Sequence, residues 1–272
     1  MLMGKKKEPL LSLLKTIYPE KSKDELYAGI LCGEVIVDGS VIKNPHTPTD
    51  ILSRVVFKAG KKFVSRGGEK LNYIINNWDV KVKGKVALDA GSSTGGFTDC
   101  LLKHGACTVY AVDVGYNQLN FRLRNNPHVE VMERTNIMTL SKDNFKILPD
   151  FAVMDLSFRS VRKAAYHTLT LLKGGDLICL IKPQFEYFNP QYDFNGIVKT
   201  KEEVFGILKS LISDLKNEGV EVLRIDKSPI LGRKGNREYF FELSLSKAES
   251  NRFPGTGLTA GLESALTRIV LE

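Results

Sequence analysis

The chain has 272 residues, 43% of them hydrophobic, and its 39 lysines and arginines outnumber 31 acidic residues to give a net charge of +8. This length can bury an ample core, as two compact units or as one unit of about 190 residues with a small partner. The four cysteines lack Cys-x-x-Cys spacing, so neither a disulfide framework nor a metal site is indicated. The positive charge favours a polyanionic partner, although many soluble proteins carry a similar surplus.

The first nine residues are basic, but no apolar segment of signal-peptide length follows them. No apolar run elsewhere in the chain approaches the length of a membrane span. We therefore expect a cytoplasmic protein without a membrane partner.

The N-terminal segment predicts two helices followed by a hairpin. Apolar residues between Leu10 and Ile17 mark one helix face, and a second short helix from Asp24 to Leu31 has Ser22 as its predicted cap. The next segment alternates like a strand and turns at Asp38-Gly39, a strong hairpin signal.

Two helices followed by Gly-x-Val-x-Val-Asp-Gly resemble the αL-type RNA-binding module of a ribosomal small-subunit protein. The resemblance implies that Lys21, Lys23 and Lys43 lie towards RNA phosphates and add salt-sensitive affinity. The alternative is that they are ordinary solvated lysines. The module usually has arginine where this chain has Lys23, and lysine lacks the bidentate geometry of arginine.

Composition divides the chain into three parts. The polar, basic segment 58–62 marks a boundary between an RNA-binding module, residues 1–62, and a main domain, residues 63–246. Residues 247–272 form a tail whose apolar spacing is compatible with an amphipathic helix. The tail could dock on this domain, bind a partner or lack order.

The stretch from Val86 to Asp99 reads as a strand, a tight turn and the start of a helix. Glycines in such a turn let the backbone pass close under a ligand, which the N–H groups of the new helix then face. The turn lacks the Lys-Ser/Thr ending of a P-loop and the glycine spacing of the dinucleotide fingerprint. The pattern therefore predicts a different ligand of nucleotide type.

Asp113 closes the next apolar run, residues 108–112, where a carboxylate is placed to bind the two hydroxyls of a ribose. Alternatively, Asp89 and Asp113 are turn formers at strand ends. Because they occur one strand-helix unit apart with the glycine turn between them, they favour a ribose-bearing cofactor.

The segment from Leu88 to Asp99 is similar to the S-adenosylmethionine loop of the FtsJ-like ribose methyltransferases. Further segments resemble the TlyA (haemolysin A) family of rRNA methyltransferases, namely Val64–Leu71, Asp113–Leu119, Glu133–Asn136, Asp155–Phe158 and Lys182–Glu186. The resemblance implies transfer of a methyl group from the cofactor S-adenosylmethionine to a ribose 2′-hydroxyl of ribosomal RNA, usually of cytidine.

Repeated strand and helix patterns follow the glycine turn. Strands are expected near residues 108–113, 129–133, 151–155, 176–181, 220–226 and 238–245, and helices near 97–104, 118–124, 160–172 and 201–218. This alternation predicts an α/β fold with a mostly parallel, Rossmann-like sheet and ligands at the carboxyl ends of its strands. As in related class I methyltransferases, the last strand should be antiparallel.

The resemblance implies a catalytic set of Lys70, Asp155, Lys182 and Glu238. Asp155 and Lys182 each end an apolar run, and Glu238 starts the final strand, so the topology brings them to one rim. Lys182 would act as a neutral general base or as a cation that stabilises the alkoxide. Asp155 would orient Lys182, and Glu238 would position Lys70 or the ribose. The alternative is that Asp155 and Lys182 form a purely structural ion pair.

Lys70 is placed in the first turn of a helix, where a cation is unfavourable unless an anion or a task holds it. The cofactor contacts implied by the resemblance are Asp89, Gly91, Ser92, Thr94, Gly95, Gly96, Asp113, Asn136 and Asp155. Phe97 is a further candidate, although its place on an apolar helix face favours the core.

Arg66, Arg159 and Arg162 would clamp substrate phosphates or be idle surface residues. The loop from Pro183 to Thr200 is long enough to cover a flipped nucleotide. The function alternatives are a methyltransferase for another structured RNA, a cytolysin and a silent RNA-binding protein. The chain offers a cytolysin no membrane-inserting stretch, and the intact Lys-Asp-Lys-Glu set argues against a silent protein.

Overall fold

The structure, a computed structural model, describes residues 6–58, 62–157, 160–187, 196–246 and 260–272, with only the backbone of Arg233 and Ala260. The chain folds into two compact units. The smaller unit comprises residues 1–63 together with 120–126, and the larger comprises residues 64–119 with 127–272.

Short elements around an apolar interior build the smaller unit. They are β1 (Lys7–Pro9), α1 (Leu10–Ile17), α2 (Lys23–Leu31), β2 (Val35–Val37), β3 (Ser40–Val41), β4 (Pro48–Asp50), β5 (Val55–Phe57) and, from later in the chain, α5 (Phe121–Arg124). Strand β2 pairs antiparallel with β3 and β5, and β1 pairs antiparallel with β4. The buried core consists of Leu10, Leu14, Leu26, Ile30 and Val35.

Two local signals in this unit are confirmed. The Ser22 hydroxyl accepts a hydrogen bond from the Glu25 N–H, and the Ser22 N–H donates to the Glu25 carboxylate, which makes a capping box at α2. Asp38 and Gly39 form the two-residue turn between β2 and β3, with φ of 46° and 87°. Positive φ at both positions is what a type I′ hairpin requires.

Residues 120–126 belong with the smaller unit. The sequence predicts a helix over residues 118–124, whereas the structure has only Phe121–Arg124 in α5. Arg122 donates to both carboxylate oxygens of Glu34, at 2.6 and 2.7 Å. The ring of Phe121 packs edge-on against Tyr27, with centroids 5.9 Å apart. The helix is thus one turn long, and its side chains complete the N-terminal unit.

A seven-stranded sheet forms the centre of the larger unit. Its elements are α3 (Arg66–Asn77), β6 (Val86–Ala90), α4 (Gly96–Lys103), β7 (Thr108–Val112), β8 (Val129–Met132), β9 (Phe151–Met154), α6 (Ala164–Thr170), β10 (Leu177–Ile181), α7 (Pro183–Glu186), α8 (Lys201–Asn217), β11 (Val220–Lys227), β12 (Tyr239–Leu245) and α9 (Ala260–Val270).

The strand order is β11-β12-β10-β9-β6-β7-β8. The five strands from β10 to β8 are parallel, and β12 is antiparallel to both its neighbours, so the predicted α/β fold is confirmed. All residues of β6, β9 and β10 are buried, as expected of strands covered on both faces. Helix α6 is shorter than predicted, because Lys163 has a φ of 59° directly before it.

Helix α9 docks on the larger unit, one of the three options for the tail. Leu266 and Val270 are buried, and the helix packs on α8 and β11. Lys209 of α8 pairs with Glu263 at 2.6 Å. Residues 247–259 lie outside the described residues. Within the described ranges, no helix combines the length and apolar character needed to cross a membrane.

Candidate active site

Backbone hydrogen bonds hold the glycine turn that follows β6. The N–H groups of Gly91 and Ser92 both donate to the Val112 carbonyl, at 2.9 and 3.0 Å, and the Gly95 N–H donates to the Ser92 carbonyl at 2.7 Å. Gly91 and Gly95 have φ of 91° and 90°, in the left-handed region that suits glycine. The turn crosses the ends of β6 and β7 and leaves Thr94 exposed before α4 begins.

Close packing also excludes side chains at two of these glycines. A Cβ on Gly91 would lie 2.6 Å from the carbonyl oxygen of Asp155, at the end of β9. A Cβ on Gly96 would lie 2.2 Å from the Ser65 hydroxyl and 3.0 Å from the Gly68 nitrogen, at the start of α3. The turn therefore fixes both the Asp155 backbone and the beginning of α3.

Asp113 follows β7 and binds two backbone N–H groups. Its Oδ2 accepts from Ser93 and its Oδ1 from Gly115, each at 2.7 Å. Ser93 has a φ of 47°, which is uncommon for a residue other than glycine. Asp113 thus ties the glycine turn to the next loop, and each carboxylate oxygen keeps a second lone pair for a ligand hydroxyl.

Asp89 is fully buried in β6. Its Oδ2 accepts a hydrogen bond from the Thr98 hydroxyl at 2.6 Å, whereas its Oδ1 has no hydrogen-bond partner within the described ranges. Burial raises the pKa of Asp89 from 3.8 to about 7, and repulsion from the carboxylates of Asp155 and Asp113 adds to the rise. An unsatisfied buried carboxylate oxygen fits a ligand that brings a hydrogen-bond donor or a positive charge.

Lys70 forms a buried ion pair with Glu238. Their side chains are 9% and 4% exposed. Lys70 is the fifth residue of α3, so its predicted place in the first turn is wrong by a small margin, because the helix begins at Arg66. A lysine near a helix start is unfavourable without a nearby anion, and Glu238 is that anion for Lys70. Removing either partner would leave a buried, unpaired charge.

Lys182 follows β10, and three oxygens surround its ammonium. Its Nζ lies 2.5 Å from Asp155 Oδ1 and donates to the Leu156 carbonyl at 3.0 Å and the Ser157 hydroxyl at 3.2 Å. All three oxygens belong to the loop after β9. The ammonium is thus held at a fixed point above the sheet rim, with its side chain only 11% exposed.

Strand register brings the two ion pairs to the same rim. Ile181 pairs with Tyr239 in the antiparallel ladder of β10 and β12. Lys182 directly follows the first of these residues, and Glu238 directly precedes the second. Asp155 follows β9 beside the glycine turn. Asp155, Lys182 and Glu238 therefore lie at one rim of the sheet, and Lys70 of α3 joins them there through its ion pair with Glu238.

Three other residues predicted to contact the cofactor or the RNA lie in different surroundings. Phe97 is 3% exposed and stacks on Phe240 with centroids 6.2 Å apart, which supports its role as a core residue. Asn136 accepts from the Met138 N–H at 3.1 Å and caps a short 3-10 turn. Arg66 is exposed at the start of α3.

The phosphate-clamp option is wrong for Arg162, whose side chain is 10% exposed. It donates to Glu186 at 2.7 Å and to Asp214 at 2.8 Å, two carboxylates that the sequence alone does not place beside it. Arg159 and residues 188–195 of the Pro183–Thr200 loop lie outside the described residues.

Ser157 and Glu186 had no predicted role. Ser157 accepts a hydrogen bond from Lys182, and Glu186 is a buried acceptor for the loop after β9. Both lie within segments that carry the family resemblance. Membership in those segments is the one sequence signal that could have pointed to Ser157 and Glu186. It does not show which hydrogen-bonding groups surround their side chains.

Residues 63–245 match the FtsJ-like methyltransferase family. The chain belongs to this family. The match covers all seven strands of the sheet, from before α3 to the end of β12. It therefore contains both ion pairs and the glycine turn.

The FtsJ-like chain is similar over most of its length to curated proteins and to solved structures. It is 35% identical over 260 residues to the 16S/23S rRNA (cytidine-2′-O)-methyltransferase TlyA of Mycobacterium tuberculosis, which covers 93% of each chain. It is 39% identical over 244 residues to YqxC of Bacillus subtilis, named as a candidate rRNA methyltransferase, covering 89% of this chain and 87% of YqxC. A Streptococcus thermophilus structure described as a haemolysin superimposes with a TM-score of 0.70 at 30% identity, covering 98% and 96% of the two chains.

Proposed function

We propose that this protein transfers a methyl group from S-adenosylmethionine to a ribose 2′-hydroxyl of cytidine in ribosomal RNA. The observation that carries the proposal is the convergence of Lys70–Glu238 and Lys182–Asp155 at the rim beside the glycine turn of an FtsJ-like domain. The names of the TlyA relatives support this substrate class. A ribosomal substrate would place the reaction in the cytoplasm, in agreement with the expectation from the sequence.

The carboxylates of this site fit the cofactor. Asp89 Oδ1 is a buried acceptor without a partner within the described ranges, and each carboxylate oxygen of Asp113 keeps a second lone pair for a hydroxyl. We assign Asp89 to the amine of the cofactor and Asp113 to its ribose hydroxyls. When bound, S-adenosylmethionine supplies the sulfonium methyl group for transfer.

The chain's own contribution to transfer is electrostatic and positional. A ribose hydroxyl is a poor nucleophile at neutral pH, so its developing negative charge needs a cation or its proton needs a base. Lys182 lies against one carboxylate and donates to two further oxygens, an arrangement that favours the cation role, with water taking the proton. Lys70 and Glu238 would position the ribose beside it.

Asp89→Asn should abolish a pH dependence of cofactor binding. In the wild type, affinity should rise roughly fivefold to tenfold between about pH 6 and pH 7.5, because Asp89 ionises with a pKa of about 7 and then attracts the cofactor ammonium. Asparagine cannot ionise, so the slope should vanish. Calorimetric titration measures it, with the pH kept below the α-amino pKa of about 7.7 to 8.0 so that most of the cofactor amine is charged.

The free energy of unfolding should depend on pH in the opposite direction from the cofactor affinity. Because the folded state holds a proton on Asp89 that the unfolded state releases, the free energy of unfolding should fall as pH rises from about 4 to about 7. Asp89→Asn should flatten this part of the curve in urea titrations. A variant that keeps the wild-type slope in both experiments would contradict the assignment of Asp89.

The smaller unit is the proposed RNA-binding module. Lys23 and Lys43 are exposed, and Lys21 lies with its Nζ 5.7 Å from the centre of the Phe57 ring. Lysines placed at RNA phosphates release counterions on binding, so they contribute affinity that declines with salt. With Arg66 of the larger unit, they are our candidates for contacts to the RNA backbone.

Lys23→Gln and Lys43→Gln should each lower the slope of log affinity against log salt by about 0.7 to 0.9, the value for one phosphate contact. Fluorescence anisotropy with labelled rRNA fragments at several salt concentrations measures the slope. Lys146→Gln is the matched control, because Lys146 is an 80% exposed lysine that pairs with Glu130 in the larger unit. If Lys23→Gln and Lys43→Gln gave the same slope as the control Lys146→Gln, neither Lys23 nor Lys43 would contact the RNA backbone.

The proposed function is tested by isotope-labelled methyl transfer to separate small and large ribosomal subunits that lack the modification. Label in ribosomal RNA, at a cytidine ribose after nuclease digestion, would support it and name the subunit. Protein that binds the cofactor but labels neither subunit would overturn the ribosomal substrate and leave another structured RNA as the alternative.

A further inference from the structure

Glu186 lies outside the proposed catalytic set but near it in the fold. It ends α7, the one-turn helix that begins directly after Lys182, and it is 3% exposed. A carboxylate in this position loses nearly all its hydration, and burial raises the pKa of Glu186. Such a group is tolerated only when protein donors replace the lost water.

Three donors from one loop replace that water. Glu186 Oε2 accepts from the Ser160 hydroxyl at 2.6 Å and from Arg162 Nη1 at 2.7 Å, and Oε1 accepts from the Val161 N–H at 2.9 Å. Arg162 also donates through Nε to Asp214 of α8, at 2.8 Å. One buried network therefore joins α7, the loop after β9 and α8.

Lys182 contacts the other end of this same loop. Its ammonium is held by Asp155, Leu156 and Ser157, as described above. The segment 182–186 thus contacts the loop at two places. The Lys182 ammonium, at the start of the segment, contacts residues 155–157, and the Glu186 carboxylate, at the end of the segment, contacts residues 160–162. A lysine stem is flexible, so the place of the ammonium depends on where the loop holds its three oxygens.

We propose that Glu186 is a positioning residue that fixes the loop after β9, so that the loop oxygens hold the Lys182 ammonium at the reacting hydroxyl. The inference rests on the proposed function, because it gives Glu186 a share in the same methyl transfer. The competing explanation is that Glu186 only stabilises the fold.

Glu186→Gln keeps the size of the side chain but removes its charge and one acceptor. We expect kcat to fall about 10-fold to 100-fold, the range that a small misplacement of a reacting group can cause. The Kd and KM for S-adenosylmethionine should change less than about twofold, because the network does not include the glycine turn. Ser160→Ala, which removes only one donor, should lower kcat about threefold and guards against misfolding of the first variant.

Glu242→Gln is the matched control. Glu242 of β12 is 7% exposed and pairs at 2.5 Å with Arg224 of β11, away from the rim. It should lower the melting temperature as Glu186→Gln does, yet leave kcat within about twofold. Wild-type kcat in Glu186→Gln, or an equal loss in both variants, would overturn the inference. Cofactor-binding wild type that labels no RNA would instead overturn the proposed function.

Discussion

Lys182→Ala should lower the rate of methyl transfer by at least about 10³-fold, while the Kd for S-adenosylmethionine stays within about twofold. The substitution removes the cation proposed to stabilise the developing oxyanion. It also leaves the Asp155 carboxylate without its ion-pair partner at 2.5 Å, so a negative charge would face the reacting oxygen. Single-turnover labelling at saturating cofactor and RNA measures the rate.

Lys146→Ala serves as the control for this prediction, since it removes an ion-paired lysine from the surface of the same unit. That variant should retain the wild-type rate. Loss of less than about tenfold in Lys182→Ala would mean that Lys182 and Asp155 form the purely structural pair considered from the sequence. Equal losses in cofactor affinity and rate would point to a binding role instead.

Gly91→Ala should abolish measurable cofactor binding and destabilise the protein by about 2 to 4 kcal/mol. Its φ of 91° is strained for alanine, and the new Cβ would lie 2.6 Å from the Asp155 carbonyl oxygen. Relief requires the turn or the Asp155 backbone to move. Either movement displaces a proposed cofactor contact or the partner of Lys182.

Gly84→Ala separates strain from contact. Gly84 has a φ of 76°, but a Cβ there would meet no atom within 4 Å. This control should cost only about 1 kcal/mol and leave cofactor binding unchanged. Urea unfolding and calorimetric titration of both variants give the comparison. Intact cofactor binding in Gly91→Ala would show that the turn can relax without loss of the site.

The strands and the glycine turn could be predicted because their signals are local. Apolar runs ending in a carboxylate or a lysine gave β6, β7, β9 and β10, and glycines at positive φ mark the turn. The place of Lys70 and Glu238 at one rim, 168 residues apart, followed from topology and the family resemblance together, and their pairing was one of the two roles considered for Glu238. Neither composition nor spacing alone would have joined them.

Long-range packing explains the errors. Helix 118–124 was predicted as an ordinary element of the sheet unit, but Phe121 and Arg122 find their partners, Tyr27 and Glu34, in the N-terminal unit. Arg162 was a candidate phosphate clamp because its burial is invisible in the sequence. Glu186 was missed for a similar reason, since its three donors come from a loop that precedes it by more than twenty residues.

The N-terminal unit is discontinuous in sequence, and this limits how the protein can be divided. A fragment that ends at residue 63 would lack residues 120–126 and therefore the guanidinium that holds Glu34 and the ring that covers Tyr27. The complementary fragment would keep Phe121 and Arg122 without the surface they pack on. An exchange of the N-terminal unit between related proteins must therefore transplant two separate stretches of chain.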